Sequence, residues 1–216
     1  MIMKIYKVLL LLLLFKMPVA LAQYQWKLNS EIDGIKVYSS SVPDSKIHAI
    51  KVDCEFNASA SQLVAVLLDV KTGTEWVYHT KSARLLKQVS PSELYYYSEV
   101  EIPWPVQNRD FVAHLTVSQN KDSKVVTVDG PAVEGLVDQK NGIVRINRSK
   151  GKWVITPKSD KLIFVSYTLQ VDPGGAIPAW LVNLFSSEGP LHSFKLLRMQ
   201  LKKPAYQNAS YSFIRN

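Results

Sequence analysis

One cysteine, Cys54, stands in 216 residues, so no internal disulfide can form. In an oxidising compartment a solitary thiol is either buried and inert or held for a reactive, intermolecular role, and burial is the expectation here. No Gly-rich phosphate loop occurs. No Gly-x-Ser-x-Gly elbow is present to raise a nucleophile. His48, His79, His114 and His192 are scattered without i,i+4 or Cys/His ligand spacing, which argues against a metal or catalytic histidine site. No cofactor is expected. The acid pairs Asp53/Glu55 and Glu99/Glu101 stand at i,i+2 on a strand, share one face, and read as a solvated edge rather than an acid/base pair. Internal repeats and low-complexity linkers are also missing. The formal net charge is +8, but it is not gathered into the basic stripe of a nucleic-acid binder.

Apolar residues make up 47% of the chain, enough for a packed core, and the length fits one domain. Residues 1–22 stand apart. Lys4 and Lys7 form a positive start, Val8 to Phe15 an apolar run, and Ala20-Leu21-Ala22 a small-residue cleavage site before Gln23. This reads as a secretory signal peptide. An uncleaved anchor is the competing reading, but the run is short for a bilayer and Lys16 and Pro18 close it. Removal of Lys4, Lys7 and Lys16 takes the charge from +8 to +5, a mildly basic domain that tolerates an anionic membrane surface. The expectation is an exported chain, periplasmic or secreted, with residues 23–216 as a single domain and a monomer. Asn57, Asn147 and Asn208 begin glycosylation triplets, relevant only in a eukaryotic source.

The order of elements points to an α+β fold. Residues 26–42 read as a short amphipathic start and a strand, Ile35–Ser39, followed by a strand over 47–56. Ser59 with Gln62 forms a capping box for a helix over Ala60–Val70, which Gly73 is expected to stop. Strands follow at Ala83–Val89, Glu93–Ile102, Asp110–Gln119, Lys124–Asp129, Ile143–Arg148, Lys152–Pro157 and Leu162–Val171. Turn signals at Asn120–Ser123, Asn141-Gly142, Lys150-Gly151 and Lys158–Lys161 separate several of them, and short turns imply antiparallel pairing. After the apolar segment Ile177–Phe185 comes a helix over Pro190–Lys203, kinked or broken at Gly189-Pro190. A sheet of this length curls, and a helix with one apolar stripe lies in its concave side. The interior is then either filled or a ligand cavity.

Pro103-Trp104-Pro105 ends one strand, and Arg109-Asp110-Phe111-Val112 starts the next. Alternation puts Arg109, Phe111, Ala113, Leu115 and Val117 on one face, expected to be the inner one. Arg109 is either a reader of a polar ligand group or half of a structural ion pair. Tyr96, from the run Tyr95–Tyr97, is expected inward with Ser98.

Thr74-Glu75-Trp76-Val77, the Pro-Trp-Pro to Arg-Asp-Phe-Val step, Gly174–Pro178 with Trp180–Asn183, and the closing helix occur in an order that resembles the START domain. This is the steroidogenic-acute-regulatory-related lipid transfer domain of the helix-grip superfamily, and the match runs over roughly residues 30–205. The resemblance implies a curved antiparallel sheet around a long C-terminal helix, a tunnel for a lipid or sterol-like ligand, and no catalysis. It implies that Arg109 is the family's cavity arginine. The ligand-contact candidates are Arg109, Phe111, Ala113, Leu115, Tyr96, Ser98, Trp76, Trp180 and Leu184, and transient membrane contact is expected. The alternative is an enzyme, since helix-grip relatives include cyclases and hydrolases acting on apolar substrates.

Overall fold

Ten strands join into one sheet because apolar alternation and tight turns recur along most of the chain. In this computed structural model the described residues are 24–41, 48–174, 178, 181 and 184–215; for Ser41, His48 and Leu184 the description is of the backbone alone. The expected leader and Trp180 lie outside the described residues. The strands are β1 (Lys27–Ile32), β2 (Ile35–Ser41), β3 (His48–Phe56), β4 (Thr80–Ser90), β5 (Glu93–Val100), β6 (Asn108–Gln119), β7 (Val126–Pro131), β8 (Ile143–Arg145), β9 (Ser149–Ser159) and β10 (Leu162–Val171). Their order across the sheet is β1-β2-β3-β10-β9-β7-β6-β5-β4, with β8 beside β6. Pairing is antiparallel except between β6 and β8.

β1 replaces the amphipathic start expected from the sequence. It pairs with β2 through Ile32↔Ile35, so Asp33-Gly34 forms a two-residue turn with φ of 54° and 71°. Positive φ at both positions is the type I′ hairpin geometry, for which Asp-Gly is a strong signal.

Helix α1 (Ala60–Leu68) has the expected capping box: Gln62 N–H donates to Ser59 Oγ, and Ser59 N–H donates to Gln62 Oε1. The expectation at Gly73 fails. The helix ends at Leu68, a 3₁₀ turn covers Val70–Thr72, and Gly73 opens α2 (Gly73–Trp76) in right-handed helical geometry. An added Cβ there would lie 3.6 Å from Ala83 Cβ, an ordinary contact, so neither space nor backbone geometry demands glycine at this position. The turn expected at Lys150-Gly151 is also absent, because both residues lie inside β9, where Gly151 pairs with Gly130.

A π-helical turn, Leu184–Glu188, leads into α3 (Gly189–Gln200), with Pro190 in its first turn. A first-turn proline costs no hydrogen bond, so Gly189-Pro190 marks the change of helix type rather than a break within α3. Asn29 Nδ2 donates to Ser186 O at 2.9 Å, tying β1 to the π turn.

The sheet grips α3 through Phe194. Its ring stacks on Phe56 of β3 and Trp153 of β9 at 6.1 and 5.4 Å and lies 6.0 Å from Tyr167 of β10. On the other side, Ser193 Oγ accepts from Tyr78 N–H just after α2, so α3 bridges the two arms of the curled sheet. A short helix, α4 (Pro204–Gln207), packs on α1. Tyr206 donates its hydroxyl to Asp69 Oδ2 at 2.9 Å and accepts from Gln200 Nε2 at 3.2 Å. No described helix is long and apolar enough to cross a membrane.

Candidate functional site

Beside the aromatic cluster the interior is hollow. The middle of the sheet carries small residues, Gly130 and Ala132 from β7 and its extension with Ser149 and Gly151 from β9, and all four line a cavity of about 350 Å³. That volume lies within the range of ligand pockets. Its walls are mostly apolar, with Trp76, Phe111, Leu115, Trp153 and Leu169 among them, and α3 and the π turn supply Pro190, Phe194 and Phe185 as a roof.

The sequence parity of β6 holds on the inner face: Arg109, Phe111 and Leu115 line this cavity, together with Trp76, Tyr96 and Ser98. Ala113 is buried between Tyr96 and Ala132, and its methyl group does not reach the space. Trp180 is outside the described residues, and Leu184 is described by its backbone alone.

Arg109 is 5% exposed. It donates to backbone carbonyls only: to Gln107 O, from Nε to Pro173 O at 3.5 Å, and from Nη2 to Gly174 O at 3.4 Å. Gly174 has φ of +68°, and a Cβ there would lie 3.1 Å from Val144 Cγ1, so glycine is what lets this carbonyl reach the guanidinium. Among the described residues no carboxylate forms an ion pair with Arg109. The structural ion-pair reading therefore has no partner there. Burial lowers the guanidinium pKa, yet arginine stays protonated at physiological pH. The cavity thus contains an unneutralised cation at the edge of an apolar space, an arrangement that favours an anionic group on whatever enters.

The adjacent residue has the opposite situation. Asp110 is fully buried on the outer face and takes Arg145 in a two-pronged pair, Nε to Oδ1 at 2.7 Å and Nη2 to Oδ2 at 3.0 Å. Tyr97 donates to Asp110 Oδ2 at 3.1 Å. Arg145 also donates to Val137 O at 2.9 Å, which pins the segment before β8 over the sheet. Glu99 is not a solvated edge: it is 5% exposed and receives Lys81, Lys140 and Asn108. Burial disfavours its charge, but these three donors together hold its pKa below the usual carboxylate value. This outer network was missed because its parts are spread over four sequence segments. The one local signal was Arg145 alone among Ile143, Val144 and Ile146.

Tyr167 was also missed. It lines the cavity from β10, and its parity with Val165 and Leu169 was the available signal. Burial pushes the Tyr96 phenol up to about 12 and raises that of Tyr167 as well. Both therefore stay neutral hydrogen-bond donors at physiological pH.

The START domain family model matches residues 13–205. A Pseudomonas aeruginosa protein, PA1579, is 35% identical over 184 residues, which is 85% of this chain and 90% of that protein. Human phosphatidylcholine transfer protein is 27% identical over 182 residues, 79% of this chain and 80% of its own length. A crystal structure of a STAR-related lipid transfer protein from Xanthomonas axonopodis superposes with a TM-score of 0.74 at 35% identity, over 82% of this chain and 99% of that one. Its likeness extends to the curved antiparallel sheet closed by a C-terminal helix.

Proposed function

The chain belongs to the START domain family, and from that premise we propose that it binds one lipid in its cavity and carries it outside the cytoplasm. The observation that carries this reading is Arg109, a buried cation without a carboxylate partner among the described residues, at the rim of an apolar void. Burial of acyl chains supplies affinity at about 25 cal/mol per Å² of apolar surface, and Arg109 orients the polar end. Trp76, Tyr96, Ser98, Phe111 and Leu115 form the walls, with Ala113 behind them. Trp180 and Leu184 remain candidates for ligand contact, and exchange requires α3 to move aside. One relative is named for phosphatidylcholine transfer and one for lipid transfer.

The binding reading is favoured over the enzyme reading by what lines the space. Of the described lining residues only Asp69 bears a carboxylate and none is histidine, cysteine or lysine. Asp69 is already engaged by Tyr206. The leader over residues 1–22 supports export to the periplasm or beyond, as a monomer that touches a membrane only during exchange.

The test is uptake from vesicles by the mature protein. We expect a fluorescent phospholipid, fatty acid or sterol to be extracted and handed to acceptor vesicles. If none of the three classes is taken up, the reading is overturned.

A further inference from the structure

The START match ends at residue 205, and the residues after it are tied down on the domain. Tyr206 and Ile214 are buried, and Tyr211 and Phe213 pack on the same core. Four side chains meet at the Tyr206 hydroxyl. It donates to Asp69 Oδ2 at 2.9 Å, just past α1, and accepts from Gln200 Nε2, at the end of α3, at 3.2 Å. Thr72 Oγ1 lies 3.3 Å from it. Gln207 Nε2 donates to Leu201 O at 2.7 Å, one of the carbonyls that a helix end leaves without a partner. Further on, Gln119 of β6 copies a strand bond: its Oε1 accepts from Arg215 N–H and its Nε2 donates to Arg215 O, both at 2.8 Å. Residues 206–215 therefore join α1, the end of α3 and β6.

The other end of α3 is held more lightly. Asn29 Nδ2 reaches Ser186 O from one flank, and Tyr78 N–H reaches Ser193 Oγ from the other. The Lys195–Asp33 pair, at 3.4 Å, lies in solvent and adds little. Phe194 adds apolar contact, which has no fixed direction. This lighter end is the one beside Arg109. Ser39, which donates to Asn29, pairs with Ile50, and Ile50 pairs with Leu169, shortly before Pro173, an acceptor of Arg109. The Gln200 end lies toward Phe56, which Arg198 covers and which pairs with Ile163 near the start of β10.

Given the lipid reading above, we propose that residues 206–215 are a strap that fixes the Gln200 end of α3 as a pivot. The roof then tilts open at its Gly189 end, beside Arg109, instead of lifting whole. Tyr206 is the positioning residue of this device. A buried hub of several bonds opens far less often than single bonds near the surface.

Native-state hydrogen exchange, read residue by residue on the mature protein, tests the pivot without any lipid. Amides 193–195 should exchange about tenfold or more faster than amides 198–201. Tyr206→Phe removes the hub's hydroxyl alone. It should speed exchange at 198–201 about tenfold and leave 193–195 within about twofold. Uniform protection along α3 in the unmodified protein overturns the pivot. So does unchanged exchange at 198–201 in the variant, or equal acceleration at both ends, which a residue serving stability alone would give. Gln119→Ala frees Arg215 at the surface and should speed exchange at 198–201 in the same direction; no change there overturns the strap. Transfer of a fluorescent phospholipid or fatty acid between vesicles locates the portal. Asn29→Ala frees the Gly189 end and should raise the rate about threefold or more, whereas Tyr206→Phe should not. A faster Tyr206→Phe, or equal rates in all three proteins, overturns the portal. No transfer by any of them, with the exchange pattern as expected, removes the lipid reading and leaves the pivot standing.

Discussion

Gly151→Phe is expected to abolish lipid uptake, at least tenfold, while leaving the protein folded. A Cβ at this position meets Tyr167 Oη at 3.6 Å and the Gly130 carbonyl at 3.8 Å, ordinary contact distances. Gly151 lies within β9 and lines the cavity, so the ring extends into the space the lipid would occupy. A strand position takes an aromatic residue more readily than glycine, so the melting temperature should hold within a few degrees. Gly151→Ala, which adds one methyl group, should keep most of the uptake. Vesicle extraction and a thermal melt on both variants decide the matter. Uptake undiminished in the phenylalanine variant would place the ligand elsewhere.

The second large effect separates two neighbours in the sequence. Asp110→Ala strands Arg145 as a buried cation and removes an acceptor from Tyr97. Breaking one side of a buried pair costs about 3–5 kcal/mol, a large share of the stability of about 5–15 kcal/mol usual for a domain. Arg109→Leu breaks no ion pair among the described residues and replaces a desolvated charge by an apolar group. Its stability should be unchanged or higher, and uptake of lipids with anionic heads should fall about tenfold or more. Urea unfolding combined with extraction of phosphatidylglycerol reads both. A strongly destabilised Arg109→Leu that still extracts the anionic lipid would make Arg109 a structural residue.

What the sequence showed and what it hid follow from the range of the interactions. The capping box of α1 is a contact over three residues, so Ser59 and Gln62 reveal it directly. The inner face of β6 is a matter of parity, and Arg109, Phe111 and Leu115 follow from it. Asp33-Gly34 was equally local and signalled the β1–β2 hairpin, but the polar run Lys27–Ile32 is largely exposed and lacks the apolar alternation that marks a strand. Gly151 resembles a turn residue to any local reading. Its role inside β9 appears only once Gly130 and Tyr167 stand beside it. The Asp110–Arg145 pair joins residues 35 positions apart in the numbering, and only the closed sheet brings them together.

Native mass spectrometry of the protein purified from its own host tests the hollow interior most directly. The account predicts a complex heavier than the polypeptide by the mass of one lipid, which denaturation releases. A bare polypeptide mass from such a preparation, with no lipid acquired after incubation with host membranes, would contradict it.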